Sequence, residues 1–134
     1  MIDKKALREK VRHLKLLYVE DEPPLREQGK IFFNKFFNLV ETANNGKDGL
    51  ALFNLKAFDI IITDVNMPKM YGDEMVSKII DLAEKKQQTI FTVILTATVV
   101  EDEVTGKYDL FLLKPIEFEQ MFQILRKIEK RFQL

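Results

Sequence analysis

Four short apolar runs in this chain each end at a residue able to handle phosphate or a hard metal ion. Leu16-Leu17-Tyr18-Val19 runs into Glu20-Asp21-Glu22, and Ile60-Ile61-Ile62-Thr63 ends at Asp64. Val93-Ile94-Leu95 ends at Thr96, and Leu110-Phe111-Leu112-Leu113 ends at Lys114-Pro115. Clustered carboxylates repel one another, and a hard divalent cation offsets that repulsion. All-oxygen ligands with open water positions suit Mg2+. A lysine adds a point positive charge with three donors, and a threonine adds a hydroxyl. Together these groups suit phosphoryl transfer. Cation and lysine neutralise the equatorial oxygens while a carboxylate attacks in line.

For these residues to act together, their runs must lie side by side. Leucine-rich or β-branched runs alternating with amphipathic stretches read as parallel strands with crossover helices. In such open sheets the strand C-termini share one edge, where ligands bind. Residues 1–14 form a lead-in helix with Leu7, Val11 and Leu14 at helical spacing, and residues 15–134 form the main domain. Its first strand spans Lys15–Glu20, and Pro23-Pro24 opens a helix whose Leu25, Ile31, Phe32, Phe33, Phe36 and Phe37 read as core. Strands are expected at 39–43, 60–63, 90–96 and 110–113. Helices are expected at 47–56, 73–86 and 117–132, with Leu50, Ala51, Phe53 and Leu55 as the apolar residues of the first of these. The predicted fold class is α/β: a doubly wound five-stranded parallel sheet of flavodoxin-like order 2-1-3-4-5. Right-handed crossovers leave few other topologies. This order makes Asp21 and Asp64 neighbours.

Composition narrows the function classes. Lysine plus arginine equals aspartate plus glutamate at 21 each, so no net field draws the chain to nucleic acid or anionic lipid. Without cysteine there is no disulfide framework or thiol chemistry. No apolar stretch approaches the roughly 20 residues that span a bilayer, and the first residues lack the apolar core of a secretory signal. A cytoplasmic location is expected, with no membrane association and no direct nucleic-acid binding. His13 is the only histidine, which excludes a histidine metal cluster or an internal phosphorelay. Gly46-Lys47-Asp48-Gly49 lacks the Gly-Lys-Ser/Thr ending of a phosphate loop and reads as a turn opening a helix.

Over about residues 14–133 the chain resembles the receiver domains of two-component response regulators, including single-domain chemotaxis regulators. The matching segments are Leu17-Tyr18-Val19-Glu20-Asp21-Glu22, Thr63-Asp64-Val65-Asn66-Met67-Pro68 with Gly72, Leu95-Thr96-Ala97 and Leu113-Lys114-Pro115. The resemblance implies that Asp64 accepts a phosphoryl group from a sensor histidine kinase or a histidine phosphotransfer protein, as a signalling switch acting on a downstream protein. It implies Mg2+ held by Asp21, Asp64 and the Asn66 main-chain carbonyl, with Glu20 assisting directly or through water. Thr96, Lys114 and the Ala97 main chain would hold phosphoryl oxygens, and the Lys114-Pro115 peptide would be cis. Phe111 takes the place of the switch aromatic, and Asn66 and Thr98 the places that tune hydrolysis of the acyl phosphate. Such a domain assists its own phosphorylation and dephosphorylation and is not otherwise an enzyme.

The stretch between Thr96 and Lys114 is several residues shorter than receivers usually carry, so the fourth helix, near residues 99–105, is expected to be short or degenerate. That leaves the usual dimerisation mode and oligomeric state open, and favours a different output surface or a partner that orders the segment. Tyr71 precedes Gly72 where relatives carry a small polar residue, either a lid or a surface tyrosine. Three rivals remain. An aspartate-nucleophile phosphatase wants a general-acid aspartate where Asn66 stands. A flavin carrier wants a phosphate loop where Glu20-Asp21-Glu22-Pro23 would repel phosphate. A phosphorylation-independent scaffold would need none of these residues.

Overall fold

The computed structural model describes residues 3–97 and 107–134. The elements run α1 (Lys4–Val11), β1 (Lys15–Val19), α2 (Pro23–Phe33), β2 (Leu39–Ala43), α3 (Gly46–Leu55), β3 (Ile60–Asp64), α4 (Gly72–Lys85), β4 (Phe91–Thr96), β5 (Leu110–Leu113) and α5 (Phe118–Arg131). All five strands are parallel, in the order β2-β1-β3-β4-β5. The short helix expected near 99–105, and Thr98, lie outside the described residues.

Strand residues alternate between two apolar layers. Leu16, Tyr18, Ile60, Ile62, Val93 and Leu95 face α1, α2 and α5. Leu17, Val19, Ile61 and Ile94 face α3 and α4. The central strands are buried on both sides, which is why they read as unbroken apolar runs. Among the described residues no helix is long and apolar enough to cross a membrane.

Helix α1 packs on the domain rather than standing off it. Asp3 caps it by accepting the Ala6 N–H at 3.1 Å, and Leu7, Val11 and Leu14 are buried in the same layer as Phe36, Phe122 and Ile128. Lys4 pairs with Glu119 at 2.6 Å and Lys10 with Glu129 at 2.9 Å. Exposed pairs of this kind contribute roughly 0–1 kcal/mol each, so burial does most of the docking.

The apolar stripe expected of α2 divides in three. The helix ends at Phe33, and Phe36 and Phe37 are buried from the turn beyond it, their N–H groups donating to the Phe33 carbonyl at 3.0 Å. Leu25 and Ile31, expected in the core, are exposed at 38% and 59%. An eleven-residue helix against a sheet buries one face, and this stripe is wider than that face. For the same reason Leu55 and Ala51 of α3 point outward, while Phe53 is buried.

Candidate functional site

Strand register brings the chemistry to one edge. Val19 pairs with Thr63, Asp64 with Leu95, and Thr96 with Leu113, so residues 20–21, 64, 96 and 114 follow one another across adjacent strand ends. The Lys114 N–H donates to the Thr96 carbonyl at 2.7 Å, and the Glu20 N–H to that of Ala43 at 3.1 Å, extending the ladder to the rim.

The side chains of Glu20, Asp21 and Asp64 converge. One carboxylate oxygen from each lies within 4.8 Å of the others. Lys114 Nζ donates to Glu20 Oε1 at 2.6 Å and lies 3.3 Å from Asp64 Oδ2. The remaining oxygens are anchored by main chain: Asp64 Oδ1 accepts the Val65 N–H at 2.8 Å, and Glu20 Oε2 accepts that of Glu22 at 3.3 Å. Glu20 is 1% exposed, whereas Asp21 and Asp64 reach the rim. Three carboxylates against one ammonium leave a local deficit of positive charge. An all-oxygen donor set of this spacing fits a hard divalent cation.

Burial pushes the Glu20 carboxyl above its usual range, and the Lys114 hydrogen bond and charge only partly reverse this. Burial acts to lower the Lys114 ammonium, but the Glu20 hydrogen bond and the Asp64 and Glu20 charges outweigh it, so its pKa is raised. The neighbouring Tyr18 phenol is raised too, by burial and by the Glu20 and Asp64 charges.

Thr96 is buried at the end of β4, with Ala97 exposed just beyond it. Asn66 is exposed on the loop after Asp64, between the buried side chains of Val65 and Met67. The Lys114–Pro115 peptide is cis. Phe111 pairs in register with Ile94 and packs with it in the α3/α4 layer, its ring 6.0 Å from that of Tyr108. By strand alternation Phe111 and Thr96 share a sheet face, although Phe111 is not in the acidic cluster. Tyr71 is 61% exposed, and His13 is exposed at the opposite end of β1.

One supporting residue, Arg26, escaped the sequence reading, and Thr63 entered it only as part of a strand and a motif. Arg26 Nη1 donates to the main-chain carbonyls of Glu20 at 2.9 Å and Asp21 at 3.3 Å, clamping the acidic turn from the first turns of α2. The only signal was an arginine one turn into a helix that starts directly after the acids. Thr63 Oγ1 donates to the Asp64 carbonyl at 2.9 Å. Gly72, quoted above only as part of a motif, has a structural task. A β-carbon there would lie 1.8 Å from the Asp64 carbonyl oxygen, and its N–H closes the loop by donating to the Val65 carbonyl at 2.8 Å.

Residues 16–126 match the sequence family described as response regulator receiver domain. The chain is 32% identical over 124 residues to a probable C4-dicarboxylate response regulator, DctR, of Bacillus subtilis, covering 87% of this chain and 52% of that protein. It spans about half the length of curated relatives that it matches. The N-terminal domain of an uncharacterized protein (WS1339) from Wolinella succinogenes superposes with a TM-score of 0.72 at 31% identity, covering 90% of this chain and 97% of that one. The receiver domain of the Saccharomyces cerevisiae response regulator Ssk1, co-crystallised with the histidine phosphotransfer protein Ypd1, shares the fold with a TM-score of 0.77 at 18% identity, covering 92% and 93%.

Proposed function

This chain belongs to the response regulator receiver domain family, and from that premise we propose that it is a phosphorylation switch whose phosphoacceptor is Asp64. One observation carries most of the weight: Glu20, Asp21, Asp64 and Lys114 meet at the ends of three different strands, with the Lys114 ammonium already touching the Asp64 carboxylate.

The phosphodonor is a phosphohistidine on a sensor kinase or a histidine phosphotransfer protein, the kind of partner the yeast receiver has in its co-crystal. An Asp64 oxygen attacks phosphorus, forming the acyl P–O bond as the P–N bond breaks. The electron pair stays on the donor imidazole, which takes its proton from solvent. Asp64 is held for this by the Val65 N–H on Oδ1, which leaves Oδ2 toward Lys114. Lys114 then follows the new phosphoryl oxygens, exchanging part of its bond to Glu20 for one to phosphate. The Thr96 hydroxyl and the Ala97 N–H, at the strand end between those of Asp64 and Lys114, supply the remaining donors. Asp21, Asp64, the Asn66 carbonyl and Glu20 would hold Mg2+, which would supply positive charge where the phosphoryl oxygens gather.

Once Thr96 engages phosphate, the sheet face it shares with Phe111 relays the change toward Tyr108 and the downstream partner. The chain acts as a self-assisting phosphoacceptor in the cytoplasm, not as a turnover phosphatase; Asn66 offers no general acid. Incubation with Mg2+ and phosphoramidate followed by intact-protein mass spectrometry tests this. A single phosphoryl adduct is expected on the parent, absent from Asp64→Asn and from a chelated sample. An equal adduct on Asp64→Asn would overturn the assignment.

A further inference from the structure

Helix α2 starts directly after Glu20-Asp21-Glu22, and its start lacks the ordinary fastening. Glu22 stands at the cap with no side-chain cap hydrogen bond, and Pro23 and Pro24 have no N–H to offer the carbonyls behind them. Strand β1 ends at Val19, so the Glu20 and Asp21 carbonyls lie past its pairing with β3. Carbonyls beyond the end of a ladder must take their donors from elsewhere. Arg26 supplies one: its Nη1 donates to both, at 2.9 Å and 3.3 Å. Its own N–H donates to the Glu22 carbonyl at 2.8 Å, so one residue closes the first turn of α2 and holds the acidic turn before it.

The groups that Arg26 leaves alone matter as much. A guanidinium beside consecutive carboxylates ordinarily pairs with one of them, because its planar fork matches a carboxylate. Among the described residues Arg26 forms no ion pair with Glu20, Asp21 or Glu22. The cation that does pair at this edge is Lys114, with Glu20 and Asp64, and the Asp21 carboxylate has no ionic partner among the described residues. An ion pair from Arg26 would compete with a metal for those oxygens. Hydrogen bonds to the main-chain carbonyls do not.

We propose that Arg26 is a positioning residue for the divalent-cation site: its guanidinium fixes the main chain that carries Glu20 and Asp21 and leaves the Asp21 oxygens to the metal. This rests on the reading of the acidic cluster as a cation site. Charge and positioning predict opposite signs. By charge alone, removing a positive group beside the cluster would tighten the binding of a divalent cation. Removing a residue that orients metal ligands from behind instead weakens binding, by about 10–100-fold.

Mg2+ alone, without phosphodonor, is titrated into the chain and followed by amide 1H–15N NMR at residues 20–22 and 64–66. Arg26→Met should keep a dispersed spectrum and bind at least about tenfold more weakly than the parent. Arg26→Lys keeps the charge and a shorter donor, so its affinity should fall between those two. Equal or tighter binding in Arg26→Met would overturn the proposal, as would Arg26→Lys binding no more tightly than Arg26→Met. If Arg26→Met does not fold, Arg26→Lys is set against the parent: weaker binding supports positioning, and unchanged binding overturns it. A parent that does not bind Mg2+ would overturn the cation reading and this inference together. A parent that binds while Arg26→Met binds as well removes only the role of Arg26.

Discussion

At the residue scale the site is a charge-balance problem solved by one lysine. Lys114 is the only cation in contact with the Glu20 and Asp64 carboxylates among the described residues, and Glu20 has almost no access to water. Lys114→Met is therefore expected to slow phosphorylation by about 10²-fold, the usual cost of losing one preorganised donor, measured by adduct formation with phosphoramidate. Charge also shapes the pH dependence of stability. A carboxyl whose pKa is raised on folding favours its protonated form in the fold. Its contribution is present at pH values below the unfolded pKa and is lost as pH rises through the raised folded value. In the metal-free protein, urea unfolding of the parent should thus lose stability relative to Glu20→Gln as pH climbs out of the acid range toward neutrality. Lys114, also raised, contributes stability at all pH values below its usual one and loses it only in strong alkali. If parent and Glu20→Gln keep a constant difference across that window, Glu20 is not the group responsible.

At the element scale, helix starts and ends position the acids. Helix α4 begins pressed against the Asp64 carbonyl, and Arg26 of α2 holds the turn that carries Glu20 and Asp21. Gly72→Ala must move either α4 or Asp64, so it should cost about 1–3 kcal/mol in urea unfolding and depress phosphorylation as well. Stability lost without any loss of phosphorylation would mean that α4 alone gives way. Helix α1 is joined to the same core by Leu7, Val11 and Leu14, so Leu7→Ala should cost about 2–5 kcal/mol. Lys4→Ala, which breaks the exposed pair with Glu119 and the contact of the ammonium with the Phe122 ring, should cost less than about 2 kcal/mol. Equal effects would show that charge rather than burial docks α1. Much of this scale could be read from the chain: Ile60-Ile61-Ile62 is an unbroken apolar run because it is covered on both faces, and Pro23-Pro24 announces a helix start. What could not be read was which apolar residues exceed the buried face. Leu25, Ile31 and Leu55 keep helical spacing yet face water, and Phe36 and Phe37 are buried from a turn that periodicity cannot distinguish from helix. The docking of α1 depends on contacts with distant segments and leaves no local pattern, whereas the Arg26 clamp reaches only to the acidic turn just before its own helix and left no signal beyond an arginine one turn in.

At the scale of the whole molecule, a doubly wound sheet collects residues from positions 20 to 114 at one edge, because parallel strands all end there. The acids, the threonine and the lysine were legible for that reason, since each directly follows an apolar run. Linkage gives a direct consequence of the acidic cluster: a cation that binds only the folded state raises its stability by about 2.7 kcal/mol at a hundredfold excess over its dissociation constant. Mg2+ should raise the melting temperature of the parent and leave Asp64→Asn nearly unmoved. The same shift in both would remove Asp64 from the metal site. The central claim is the identity of the phosphoacceptor, and reductive trapping tests it most directly. The chain is incubated with Mg2+ and phosphoramidate, reduced with borohydride, which converts an aspartyl phosphate to homoserine, and sequenced by tandem mass spectrometry. Homoserine at position 64, and absent when Mg2+ is chelated, is the expected result; homoserine at Asp21 or elsewhere, or none despite a phosphoryl adduct, would contradict it.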